Sequence, residues 1–515
     1  MFGHPGGEVV DFVNALESCG IRFVLTGHES AAAFMAGAAG RLTGIPGACL
    51  STLGPGACNL VLGVASAYLD RDPLLAFSAR TPAARARSIN KQNLAIRDLF
   101  SHITKWSVEL DGVATEETIC RALAVARRPK RGPVYLNVPA DVATQTDQPR
   151  GDAPPPPAVT SESSDDLSAI AEVLNRAKRP IGIVGVGLDA ERDCNAVRAF
   201  FATTGVPYCV TPEAKGVADE SGEGFLGVAG LGSGDASITE CLNQSDCLLG
   251  VGFDPVESSQ EWHLRKPVYS VANGPTGFDR YRPAAECVGD VTALLSELSA
   301  AYRGTPDWTA AELEETRRQV QAAITPAAKE SARGLSPYHV IRAMRELLPE
   351  STIVTTDVGA HKMLLAQAWH APKPGTFLVS NGLSAMGYGV PAAIAACMFR
   401  RNCPVVGMIG DGGFNMMVQE LETARRLDVS PLFVVFCDRS LAVIKVAQDA
   451  RGIPHHGVDF APVDWAKVAE GFGAAGFAPN TLAQVDKAAS EWLAHPRLTV
   501  LAVPIDEALY TGLSY

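Results

Sequence analysis

Charge is scarce in this sequence, and positive charge is scarcer: 19% of its residues are charged, and 56 acids against 44 bases leave a formal net charge of −12. Nucleic acids and anionic membranes are bound through clustered Lys and Arg, so this balance argues against both as partners. A small anionic ligand needs only one local basic pocket. The twelve cysteines are scattered without a single C-x-x-C pair and read as reduced, buried thiols. The start, "MFGHPGGEVV", lacks the pattern of a signal peptide, so the expectation is a cytoplasmic protein. The longest uncharged run, residues 374–399, is interrupted throughout by Gly, Pro, Ser and Asn and does not read as a membrane span.

What is present is length and alternation. A chain of 515 residues exceeds what one hydrophobic core usually holds, and 47% hydrophobic residues suffice to build several. Composition shifts at residues 145–166, "QTDQPRGDAPPPPAVTSESSDD", and in the polar run 308–333 divide it into 1–150, 165–305 and 335–515. In each part short apolar runs such as "RFVLTG", "PIGIVGVG" and "PLFVVFCD" alternate with helical periodicity. This predicts an α/β protein of three domains, each a mainly parallel sheet flanked by helices. Ligands in such sheets sit at the carboxyl ends of strands, where glycine-rich turns lead into helices.

One stretch concentrates that expectation. In "PVVGMIGDGGF" an apolar strand runs into Gly410-Asp411-Gly412-Gly413, where glycines admit a ligand and the next helix offers free N–H groups to an anion. A lone G-D-G reads equally as a plain strand-to-helix turn with an Asp cap. The residues that follow have room for one helix and one strand before Asp438, and that topology returns the second strand beside the first. Asp438 is therefore expected near Asp411. Hard oxygen ligands from two loops, with phosphate and water, suit Mg2+.

Gly-Asp-Gly with this spacing resembles the signature of thiamine diphosphate enzymes, and the surrounding residues resemble the acetolactate synthase branch. The resemblance implies pyrimidine-binding, central and diphosphate-binding domains in that order. It implies Asp411, Asp438 and the backbone carbonyl of Ser440 as Mg2+ ligands, although Asp438 stands where the family usually has Asn. "HESAA" matches the family's H-E-x-x-A at Glu29, its catalytic carboxylate, which alone would read as a helix-start charge. "STLGPGACN" places Thr52, Pro55 and Asn59 near the cofactor's pyrimidine, and "TTDVGAHK" makes Gly359 and His361 diphosphate contacts beside Gly410, Gly412 and Gly413. "SNGLSAMGYG" adds Ser384 and gives Met386 as the apolar wedge beneath the cofactor, where a methionine on its own would read as core packing.

Substrate contacts are less familiar. Lys445 and Ala447 stand where the synthases usually carry an Arg and a Trp, so the acceptor pocket should be differently shaped. Lys445 reads either as a carboxylate contact or as a solvated helix face. Arg80 and Gln92 are further candidates, although the density of Arg80, Arg85 and Arg87 fits a surface or subunit contact as well. "GVGFDPVESS" lacks the arginines of the turn that binds FAD in relatives, which argues against FAD. The implied activity is decarboxylation of a 2-oxo acid followed by carboligation, with a simple decarboxylase or a catalytically impaired cofactor binder as alternatives. A shared site implies a homodimer at least, and the family a homotetramer.

Overall fold

The computed structural model describes residues 1–82, 85, 88–148, 164–231, 234–258, 266–276 and 282–513. Most of the linker expected at 145–166 lies outside the described residues, as does Arg87.

Three six-stranded sheets follow one another along the chain, and every strand pairing in them is parallel. The first runs Val24–Leu25, Phe2–His4, Gly47–Ser51, Leu74–Arg80, Pro133–Pro139, Trp106–Glu109. The second runs Ala285–Val288, Val268–Ala272, Cys247–Val251, Pro180–Val184, Tyr208–Val210, Phe225–Val228. The third runs Phe377–Leu378, Ile353–Thr356, Val405–Gly410, Leu432–Cys437, Thr499–Pro504, Ala475–Phe477. Inner strands such as Leu432–Cys437 are apolar on both faces because helices cover both.

Strand order first reverses near the start of the third sheet. From Ile353–Thr356 the chain steps outward to Phe377–Leu378 and then returns on the other side as Val405–Gly410. The crevice opened by such a reversal is where an α/β sheet takes its ligand, and it lies between the ends of Thr356 and Gly410. The first sheet reverses likewise between Phe2–His4 and Gly47–Ser51.

Two helices rich in alanine and glycine join the outer domains. Glu29–Thr43 packs on Gly389–Phe399, with Phe34 edge-on to Tyr388 at 5.7 Å, and small side chains permit the close approach. Gly389–Phe399 is all that becomes helical in the long uncharged run. Among the described residues no helix is long and apolar enough to cross a membrane.

Two expectations need correction. The twelve cysteines are free, but Cys19, Cys58 and Cys120 are exposed rather than buried, and Cys397, Cys403 and Cys437 are only partly buried. The segment after Gly410 forms two short helices, Asp411–Met417 and Glu420–Arg426, instead of one. Val418 and Gln419 keep helical dihedrals at the join, and the break turns Glu420 into the interior.

Candidate active site

A cavity of about 540 Å³ occupies the crevice of the third sheet, roofed by Gly230 and Leu231 of the central domain. Gly359, His361, Ser384, Met386, Gly410, Asp411, Gly412, Gly413, Asp438 and Ser440 all line it.

Parallel pairing of Gly410 with Phe436 sets the two strand ends side by side. Asp411 then reaches across, and its Oδ2 accepts the Arg439 N–H at 2.9 Å. Its Oδ1 is buried without a partner. An orphaned carboxylate oxygen is costly unless something fills it. Asp438 lies on the same wall, where its Oδ1 accepts the Ser440 N–H at 3.0 Å. Burial first, and then the neighbouring Asp411, pushes the Asp438 carboxyl up to about 7. Burial likewise pushes Asp411 up to about 6, against the pull of its backbone N–H bonds. Two hard oxygen donors held together against their own repulsion are a natural seat for a divalent cation. Among the described residues no group of three His, Cys, Asp or Glu side chains converges, so other ligands would complete a coordination sphere.

The glycines of the turn have separate reasons. A Cβ at Gly413 would stand 2.1 Å from Asp357 Oδ2, so only glycine fits against that carboxyl. Asp357, unassigned from sequence, is buried and accepts the Tyr388 N–H at 2.8 Å, tying the end of Ile353–Thr356 to the start of Gly389–Phe399. At Gly410 a Cβ would meet the His361 ring at 2.8 Å. The Gly410 N–H instead donates to His361 Nε2 at 3.2 Å, and burial, with Lys362 adjacent, pushes the imidazole down to about 3. His361 is therefore neutral and holds the turn in place. Met386 brings its methyl to 3.4 Å from the Cβ position of Gly412, over the floor of the cavity.

A second group forms at the carboxyl end of the first sheet. Glu29 opens its helix with 7% of its surface exposed, and Asn59 Nδ2 donates to Glu29 Oε2 at 2.9 Å. Glycine at position 56 leaves room here, because a Cβ would come within 3.1 Å of Glu29 Oε1 and 2.8 Å of the Thr52 methyl. Thr52 Oγ1 donates to Glu8 at 2.8 Å. Pro55 begins the helix Pro55–Leu69 after Gly54, whose φ of 59° suits glycine, and Gln92 packs on that turn.

Not every candidate joins these groups. Lys445 turns from the cavity into the neighbouring cleft, where Asp459 at 2.7 Å and Glu507 at 2.9 Å hold its ammonium. Arg80 is paired with Glu109. No residue of the first sheet lines the 540 Å³ cavity among the described residues, so Glu29 and the two aspartates occupy separate places in one chain. Lys362 and Asn381, which line the cavity, were missed because a helical lysine and a loop asparagine carry no pattern of their own.

Three family profiles match in the order of the three sheets. They are the N-terminal TPP binding domain, the central domain and the C-terminal TPP binding domain of thiamine pyrophosphate enzymes, over residues 1–102, 167–298 and 357–503. The chain belongs to the thiamine pyrophosphate enzymes and is itself a thiamine diphosphate-dependent enzyme.

Within that family it is similar to acetolactate synthases. It is 29% identical to the acetolactate synthase of Bacillus subtilis (strain 168), over 94% of this chain and 87% of that one. To the catabolic acetolactate synthase of Raoultella terrigena it is 28% identical, over 98% and 92%. To the acetolactate synthase isozyme 2 large subunit of Escherichia coli (strain K12) it is 30% identical, over 85% and 80%.

Proposed function

We propose that this enzyme uses thiamine diphosphate with Mg2+ to decarboxylate a 2-oxo acid and to join the remaining fragment to an acceptor carbonyl. The observation that carries the reading is the orphaned Oδ1 of buried Asp411, beside Asp438 and a glycine turn that opens onto the cavity. When bound, thiamine diphosphate supplies the electron sink that lets a 2-oxo acid lose CO2.

The residues present fit the cofactor and its ion. Asp411, Asp438 and the carbonyl of Ser440 would hold Mg2+, and Gly359, Gly410, Gly412 and Gly413 would leave space for a diphosphate. Neutral His361 fixes the Gly410 backbone and adds no charge. Met386 would support the cofactor from below. In the other domain Asn59 orients Glu29 by one hydrogen bond, and Glu29 would hold a proton against the cofactor's pyrimidine, with Thr52 and Pro55 shaping the surroundings. Arg80 and Gln92 would be substrate contacts nearby.

Because Glu29 and the aspartates lie apart in one chain, the working site is assembled from two copies, each giving its first domain to the other's third. A homodimer is the minimum, and a homotetramer is the proposed form. We also propose the domain limits 1–150, 165–305 and 335–515, and a cytoplasmic location. FAD has no part in the reading, since "GVGFDPVESS" lacks the arginines of the turn that binds it in relatives.

The test is CO2 release from a panel of 2-oxo acids, with and without thiamine diphosphate and Mg2+, with products identified by NMR. Cofactor-dependent release with a condensed product supports carboligation. An aldehyde product would make the enzyme a simple decarboxylase. Silence with cofactor bound would leave only an impaired binder and overturn the reading.

A further inference from the structure

Lys362 is the single Lys or Arg among the described residues lining the cavity, yet it is 5% exposed. A buried ammonium ordinarily has a carboxylate partner. Here its hydrogen bonds go to two neutral oxygens, the Ser380 carbonyl and the Ser384 hydroxyl, each at a long 3.3 Å. The carboxylates that surround it at longer range take hydrogen bonds from other donors, although Asp357 Oδ2 and Glu213 Oε2 are buried without one. Asp70 accepts the Gly382 N–H at 2.6 Å, and Asp357 accepts that of Tyr388 at 2.8 Å. Glu257 accepts the Val186 N–H and the Thr211 hydroxyl, and Glu213 accepts the Asn381 N–H and faces Arg41 at 3.5 Å. Burial pushes the lysine down to about 8, while these four carboxylates pull the other way.

Its direction matters. Lys362 points to Ser384 rather than to the Gly410–Gly413 turn, which His361 holds. It therefore points away from that turn and toward Ser384, on the side of the cavity where Met386 lies. Among the described lining residues the other cationic candidate, Lys445, is absent, being held outside the cavity by Asp459 and Glu507. Pairing a fixed cation with the carboxylate that departs as CO2 would stabilise the reactant over the transition state and slow the reaction. A cation helps when it holds a group whose charge persists.

We infer that Lys362 is a specificity-determining residue and receives the substrate carboxylate that survives the reaction, an inference that rests on the function proposed above. That carboxylate is either a second acid group on the donor or the carboxylate of the acceptor.

The test compares wild type, Lys362→Met and Lys362→Arg, each loaded with thiamine diphosphate and Mg2+. CO2 release is followed from pyruvate and from 2-oxoglutarate, and condensation with 2-oxobutyrate by NMR. For Lys362→Met the KM toward the carboxylate-bearing partner should rise about ten- to a hundredfold, the scale of one charge-assisted hydrogen bond, while kcat changes far less. Lys362→Arg should recover most of it. A donor role shows as lost preference for 2-oxoglutarate over pyruvate. An acceptor role shows as unchanged CO2 release from pyruvate with condensation impaired.

Calorimetric titration of the holoenzyme with unreactive succinate gives a readout without turnover, and binding should weaken about tenfold or more in Lys362→Met. If no 2-oxo acid releases CO2 but Lys362-dependent succinate binding is seen, the proposed function fails and the anion site stands. Unchanged KM values and unchanged succinate binding would overturn the inference. So would absence of succinate binding together with absence of turnover in wild type. Equal losses in cofactor affinity or in thermal midpoint would instead make Lys362 a diphosphate contact or a counter-charge for the buried carboxylates, and would overturn it as well.

Discussion

Asp438→Asn keeps an oxygen at the end of Leu432–Cys437 but removes one of two adjacent buried negative charges. Without ligand, the Asp438 carboxyl moves from 3.8 up to about 7, through burial first and Asp411 second. Three units at 1.36 kcal/mol each set a ceiling of ~4 kcal/mol on the cost of ionising it in the folded chain. The sign follows from a folded value above the unfolded one. Stability is fully present below the unfolded value and is lost as pH rises through the folded one, and Asp411, raised to about 6, behaves alike.

Cofactor-free wild type should therefore lose stability between about pH 4 and pH 7, and Asp438→Asn should lose less, ending up to ~4 kcal/mol more stable by pH 8. Other raised carboxyls such as Asp72 and Glu257 are common to both proteins and largely cancel in the difference. Calorimetry in EDTA across that range measures the difference. With Mg2+ and thiamine diphosphate present, Asp438 must shed its proton to act as a ligand. Wild-type affinity for the cofactor should then climb more steeply from pH 6 to pH 8 than that of the variant, which binds as tightly or more tightly at pH 6. Parallel pH curves, or a variant that loses more than about tenfold in cofactor affinity at pH 7, would refute the account of two mutually repelling ligands.

Glu29→Gln should lower turnover by about a hundredfold or more while thiamine diphosphate affinity changes severalfold at most, measured by steady-state kinetics beside calorimetric titration. Gly413→Ala forces a methyl into the 2.1 Å gap before Asp357 Oδ2, so it should destabilise the third domain by ~1–3 kcal/mol and abolish cofactor binding in the same titration. Lys445→Met should leave KM for 2-oxo acids within about twofold and lower stability only slightly, because its charge is committed to the solvent-screened Asp459 and to Glu507. A large KM effect there would return Lys445 to the substrate.

The architecture was legible because it depends on patterns a chain repeats. Apolar runs such as "PLFVVFCD", separated by helical periodicity, specify parallel strands, and the crossover rule alone brings Asp438 beside Asp411. What the sequence could not disclose were pairings set by which charge arrives from a distant segment. Lys445 and Lys362 are both helical lysines near glycine turns. One is neutralised by Glu507 from the last strand's exit, and the other is buried without an ion pair among the described residues. Periodicity assigns neither fate.

Glu420 carries the same point to the proton-holding group. Its segment, "QELETARR", reads as an exposed amphipathic helix, yet Glu420 is 0% exposed and accepts the Gly27 N–H at 3.1 Å. That bond fastens the third domain to the residues just before Glu29, so the position of the proposed catalytic carboxylate depends on a contact that no local motif contains. In this chain short segments supply the chemistry, and contacts between domains decide where it is held.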